Sequence, residues 1–157
     1  MEIERKFLVK TLPSDLGNYS YRIIEQGYLN TDPVIRIRRD NEKYELTYKS
    51  RGLMAREEYN MPLTEEAYTH LLSKIDGLLI KKCRYMLPLT FEDISLTIEL
   101  DVFEGELAPL VLAEVEFPSE EMAERFIPPE WFGDDVTFSG KYHNNVLSQE
   151  NRTMGTD

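Results

Sequence analysis

The spacing of the charges constrains this chain more than any other feature. Glu2, Glu4 and Lys6 occupy every second position of the first segment, and Ile3, Phe7 and Val9 alternate with them. A period of two puts each set on one side of an extended strand. The same alternation returns at Arg36/Arg38, Glu45/Thr47/Lys49, Arg56/Glu58, Lys82/Arg84, Glu99/Asp101 and Glu114/Glu116. The opposite sides carry mostly Ile, Leu, Val, Phe and Tyr, although Arg5, Arg39, Glu57 and Lys81 interrupt them.

Read this way, strands are expected over 2–9, 21–29, 34–39, 44–50, 56–61, 80–87, 95–103 and 110–117. Asn30-Thr31-Asp32-Pro33 and Asn41-Glu42 supply turn residues between them. One clear helix is expected over 64–76. Thr64 can cap it, Glu65 and Glu66 suit its positive end, and Gly77 stands just past it. Tyr68, Leu71, Leu72 and Ile75 give it a buried face. Ser119 starts a short acidic helix that Pro128-Pro129 ends, and 141–147 is expected as a last short helix. The expected class is α+β: an antiparallel sheet of eight strands, enough to close a barrel, with a few flanking helices. No repeat, low-complexity tract or linker divides residues 1–157, so one domain is expected.

Composition removes several function classes. The formal net charge is −11, which disfavours duplex nucleic acid and anionic membrane as partners. The charge is uneven: residues 1–60 hold 11 basic and 10 acidic side chains, and the remainder holds 7 and 19. No apolar run approaches the length of a membrane span, and the charged start Met1-Glu2-Ile3-Glu4-Arg5-Lys6 does not read as a signal peptide. The single cysteine, Cys83, can form no internal disulfide, so a cytoplasmic protein is expected. Cys83 alternates away from Lys82 and Arg84 and reads as a packed residue rather than a nucleophile. His70 and His143 lack zinc-ligand spacing, and neither a P-loop nor a GxGxxG motif is present.

Any one of these charged pairs could be an ordinary solvated sheet face with weak cross-strand ion pairs. Together they describe a barrel with a charged interior and an apolar wall for helices to cover. The same-face acids lie in the early and late strands, and the bases fill the middle ones. Buried charges must be matched. Lys6, Arg36, Arg38, Lys49, Arg56, Lys82, Arg84 and Lys141 would suit a compact polyanion. The pairs Glu2/Glu4 and Glu114/Glu116 are hard oxygen donors suited to Mg²⁺ or Mn²⁺. Bases and cation-binding acids in one cavity are what phosphoryl transfer requires.

Glu2-Ile3-Glu4-Arg5-Lys6 resembles the ExExK signature of the CYTH superfamily, the triphosphate tunnel metalloenzymes. The resemblance continues in order through Arg36-Ile37-Arg38, Leu46-Thr47-Tyr48-Lys49, Arg56-Glu57-Glu58, Lys82-Cys83-Arg84, Asp101-Val102-Phe103-Glu104-Gly105, Glu114-Val115-Glu116-Phe117 and Lys141-Tyr142-His143-Asn144. It implies an eight-stranded antiparallel tunnel in which Arg and Lys hold a triphosphate and glutamates of the first and last strands hold a divalent metal. On that basis Glu2, Glu4, Glu114 and Glu116 are the expected metal ligands, with Asp101 as a further candidate. Glu4, Lys6, Arg38 and Glu58 are the expected catalytic set, with Glu58 and Asp101 as second-rank candidates for metal binding or water orientation. Glu99 ranks behind them.

The expected activity is metal-dependent hydrolysis of inorganic tripolyphosphate to pyrophosphate and phosphate, the short chain favouring a small inorganic substrate. The alternatives are a class IV adenylate cyclase, a nucleotide or thiamine triphosphatase, and a non-catalytic polyphosphate-binding module. A complete set of glutamates speaks against the last. A homodimer is compatible with the sequence.

Overall fold

The computed structural model describes residues 1–142 and 144–148; His143, part of the last motif above, lies outside them. Alternation becomes a sheet of ten strands. In chain order these are β1 (Glu2–Val9), β2 (Tyr21–Thr31), β3 (Val34–Asp40), β4 (Lys43–Lys49), β5 (Ala55–Arg56), β6 (Glu58–Pro62), β7 (Asp76–Phe91), β8 (Ile94–Glu104), β9 (Val111–Glu116) and β10 (Phe132–Asp135). The helices are α1 (Glu65–Leu72), α2 (Glu120–Arg125) and α3 (Asn144–Leu147). The strand order is β10-β1-β9-β8-β7-β2-β3-β4-β6, and the neighbours run antiparallel.

The expected antiparallel α+β architecture is present, with closure that is near rather than strict. β5 pairs with β1 through Glu2↔Arg56 and Ile3↔Ala55, whereas β6 pairs with β4. The segment 55–62 therefore pairs with β1 and with β4, near opposite ends of the strand order, without making one continuous ladder. Its break is at Glu57, whose backbone turns to Ser50: Ser50 N–H donates to Glu57 O at 3.0 Å, and Glu57 N–H donates to Ser50 Oγ at 2.9 Å. β10 was not expected, because Phe132-Gly133-Asp134-Asp135 has no alternation and holds poor strand formers. Tertiary contacts hold it there: the Phe132 ring lies 4.9 Å from Phe7, and Asp135 pairs with Arg5 at 2.7 Å.

Arg5 also explains its own break in the alternation. Its guanidinium lies outside the sheet, donates to the carbonyls of Ala123 and Phe126 at the end of α2, and sits 5.0 Å from the Phe7 ring centroid. Around it Phe7, Leu100, Ala113, Val115, Phe117, Phe126 and Phe132 form the outer core. Thr64 and Ser119 cap α1 and α2 as expected, accepting from Ala67 N–H and Met122 N–H. α1 packs against β3 and β4 but ends at Leu72, four residues early, because Asp76 already belongs to β7. Tyr68 is its buried residue and donates to Glu25.

A second cluster, of Tyr28, Val34, Ile80, Phe103, Leu107, Leu112, Val136 and Leu147, lies at one end of the interior. Ile80, Phe103 and Leu112 continue, two residues on, the rows that carry Lys82, Asp101 and Glu114. Each row thus changes from charged to apolar along its strand, and the charged part of the interior is confined.

Candidate functional site

That confined part is a narrow cavity of about 50 Å³. β1 brings Glu2, Glu4 and Lys6 to it, β3 brings Arg36 and Arg38, and β4 brings Lys49. β5 and β6 contribute Arg56 and Glu58; β7, β8 and β9 contribute Arg84, Glu99 and Glu114. With Tyr28 of β2, side chains from nine strands meet there, because strand pleating sends alternate residues inward.

The cations are held from behind. Arg38 Nε donates to Gln26 Oε1 at 2.9 Å, and Arg36 Nη2 donates to Thr47 Oγ1 at 3.1 Å. Neither has an ion pair among the described residues. Arg36 Nε is also buried without a hydrogen-bond partner. Burial, with Arg36 and Arg84 nearby, lowers Arg38 to about 9. Two guanidiniums without an ion pair, one of them lowered by burial and by its cationic neighbours, mark this part of the site as short of anion.

The acids divide into two groups. Lys6 Nζ is 3.5 Å from Glu114 Oε1, and Lys49 Nζ is 3.0 Å from Glu2 and 3.4 Å from Glu58. Burial acts to raise Glu114, but Lys6, Arg84, Lys82 and Lys49 outweigh it and hold the carboxyl well below the usual range. Burial likewise acts to raise Glu58, and Lys49 with Arg36 outweighs it and lowers the carboxyl. Glu4 and Glu116 are different. They face each other in register across β1 and β9, and neither has an ion pair among the described residues. Burial, then Glu114 and Glu2, drives Glu4 well above the ordinary carboxylate value. Burial, then Glu2, Glu99 and Glu58, raises Glu116.

Like charges directly opposite in a sheet are unfavourable. Two facing carboxylates without an ion pair, beside the buried Glu114 Oε1 that lacks a hydrogen bond, are hard donors of the kind Mg²⁺ or Mn²⁺ takes. The donor set fits a divalent cation in chemistry. It is not gathered around one: among the described residues no three acidic, His or Cys side chains converge at ligating distance.

Four expected site residues stand elsewhere. Glu116 is exposed at the rim, where it shares a neighbouring groove with Glu99. Lys141 is exposed, its ammonium 5.5 Å from the Tyr142 ring centroid, and does not line the cavity. Lys82 and Asp101 are wholly buried, do not line the cavity, and form an ion pair at 2.7 Å, Lys82 Nζ having no hydrogen-bond partner. Lys6 Nζ instead donates to Tyr142 O at 2.9 Å, which ties the C-terminal segment to the site. Sequence reasoning overlooked Gln26, Tyr28 and Asn144. Tyr28 and Asn144 line the cavity, and Gln26 Nε2 donates to Tyr28 Oη at 3.2 Å. The signal was the period itself: Gln26 and Tyr28 sit two apart, opposite Arg38 and Arg36.

A nearly closed antiparallel sheet with arginines facing carboxylates in its interior defines a class of protein, one that houses a polyanion with a cation inside a strand-built tunnel. The CYTH domain model matches residues 1–154, and the chain belongs to that family. It is 41% identical over 150 residues to a protein of Nitrosomonas europaea named inorganic triphosphatase, covering 94% of this chain and 96% of that one. A protein of Acetivibrio thermocellus with the same name is 37% identical over 155 residues, covering 93% and 92%. The crystal structure of the inorganic triphosphatase NE1496 superposes with a TM-score of 0.69 at 39% identity, over 96% of this chain and 95% of that one. No helix among the described residues is long and apolar enough to cross a membrane.

Proposed function

We propose that this chain is an inorganic triphosphatase: it hydrolyses tripolyphosphate to pyrophosphate and orthophosphate with Mg²⁺ or Mn²⁺, as one domain over 1–157 and in the cytoplasm. The observation that carries the reading is the set of guanidiniums of Arg36, Arg38 and Arg84 lining one cavity, the first two without an ion pair among the described residues. The two relatives named inorganic triphosphatase support it over nearly the whole chain.

In this reading Lys6, Arg36, Arg38, Lys49, Arg56 and Arg84 bind the phosphates and take up the charge that develops as the anhydride breaks. Glu2, Glu4 and Glu114, with Glu116 at the rim, hold the cation. When bound, that cation neutralises phosphate oxygens and acidifies water. Glu58, kept ionised by Lys49 and Arg36, orients the attacking water and accepts its hydrogen bond. Gln26 and Thr47 hold the arginines in place before substrate arrives, which limits the reorganisation needed on binding.

A phosphate-release panel over tripolyphosphate, thiamine triphosphate, ATP and pyrophosphate, with each metal and with chelator, tests the proposal. Tripolyphosphate should be cleaved fastest, pyrophosphate poorly, and nothing in excess chelator. Equal efficiency on tripolyphosphate and pyrophosphate, or full activity without metal, would refute it. Cyclic AMP plus pyrophosphate from ATP would make the chain a cyclase instead.

A further inference from the structure

We infer that Asp101 is a positioning residue for Arg84, with Lys82 as its buried counter-charge, and that neither Asp101 nor Lys82 touches phosphate or cation. The inference rests on the triphosphatase reading. Asp101 on β8 lies opposite Arg84 on β7. Arg84 Nε donates to Oδ1 at 2.7 Å and Nη2 to Oδ2 at 2.9 Å, a two-point grip that fixes the plane of the guanidinium. Its remaining nitrogen, Nη1, is 3.4 Å from Glu99 Oε1, a residue of the cavity wall. The grip faces away from the cavity and the free edge faces into it.

Lys82 Nζ closes the arrangement at 2.7 Å from Asp101 Oδ2, with the Phe103 ring centroid 5.4 Å from the ammonium. Asp101 and Lys82 are both 0% exposed. One carboxylate therefore answers two cations, and the trio carries a net positive charge. A divalent cation approaching Asp101 would meet that charge, which argues against the ligand role. The need for a grip comes from the neighbours. Arg38 shares the cavity with Arg84 and the two repel each other, so an unrestrained Arg84 would swing away towards Glu99. Asp101 holds the third guanidinium against that repulsion.

Removing Asp101 alone would leave buried Lys82 without its ion pair and Arg84 with Glu99 alone, which is strongly destabilising. The double variant Lys82→Met/Asp101→Asn removes one charge of each sign and keeps the local net charge. Three variants are compared with wild type: the double variant, Arg84→Ala, and the triple combination. Tripolyphosphate hydrolysis is measured against Mg²⁺ concentration, tripolyphosphate binding by calorimetry, and folding by circular dichroism.

The double variant should lose about 100-fold in kcat/KM, as expected for a displaced binding group, with half-saturating Mg²⁺ unchanged. The triple variant should be no worse than Arg84→Ala, because the grip has nothing left to hold. A rightward shift of the Mg²⁺ curve in the double variant, rescued by more Mg²⁺, would overturn the inference; so would additive losses in the triple variant. If the double variant does not fold, Asp101→Glu replaces it. The longer acid keeps the charge but displaces the guanidinium, and the same outcomes decide. A wild-type chain that neither binds nor cleaves tripolyphosphate refutes the functional reading. A wild type that does both, matched by the double variant, refutes only the positioning role.

Discussion

Arg38 and Glu4 each lie among groups of their own sign, so neutralising them should have opposite signatures. Arg38→Ala removes a guanidinium that Gln26 presets, and should cost about 2–4 kcal/mol in kcat/KM that added metal does not restore. Glu4→Gln should also lose most activity, but raising Mg²⁺ or Mn²⁺ should recover part of it by mass action. Without metal, Glu4→Gln should melt higher than wild type, because it removes repulsion from Glu114 and Glu2. Rate against metal concentration and melting curves in chelator check both; superimposable metal curves for the two variants would show the roles misassigned. Which face a residue occupies was legible in the sequence, because the period of two reports it. Depth was not. Lys82 and Arg84 have the same spacing, yet one is sealed behind Asp101 and the other lines the cavity. Depth depends on strand tilt and on what plugs the end of the interior, and neither is written in a local pattern.

At the scale of elements, the caps, the helix-facing wall and most strand positions followed from local chemistry, whereas the split at Glu57 and the strand β10 came from distant partners. β10 depends on Arg5 and Phe7, more than a hundred residues away. The close approach of β2 to the segment after α1 is another such feature. A Cβ at Gly27 would lie 2.7 Å from Ile75 Cγ2 and 2.8 Å from its Cδ1. Gly27 thus gives room rather than a turn. Gly27→Ala should destabilise the fold by about 1–3 kcal/mol, the usual cost of overfilling a packed contact. Adding Ile75→Ala should return part of that loss by emptying the space, provided the gain exceeds the cost of the lost contact. Urea unfolding of the single and double variants measures this. A Gly27→Ala protein as stable as wild type would mean that Ile75 moves aside freely.

For the whole molecule, the net charge of −11 is less informative than where the uncompensated carboxylates lie, and their effect on stability can be read as a function of pH. Glu4 and Glu116 have raised values in the folded chain, above the 4.5 of an unperturbed glutamate. As pH falls from neutral, the native state takes up these protons before the unfolded state does, so stability should rise. Glu114, Glu58 and Asp101 have lowered values and act in the opposite sense. Their contribution is complete above the unperturbed carboxylate range and is lost as pH falls through their folded values. Lys82, lowered by burial from 10.5 to about 7, adds stability as pH rises above 7 and so does not mask the acidic side. In chelator, the melting temperature should therefore climb as pH drops from neutral towards the unperturbed glutamate value of 4.5, and fall beyond it. Saturating Mg²⁺ should raise the melting temperature at neutral pH and flatten that climb, because the cation then supplies the charge that protons supply in its absence. Calorimetric scans across this range, with and without Mg²⁺, make the comparison. A climb of equal size in both conditions would mean that protons and the cation act at different carboxylates, and that Glu4 and Glu116 do not hold the metal.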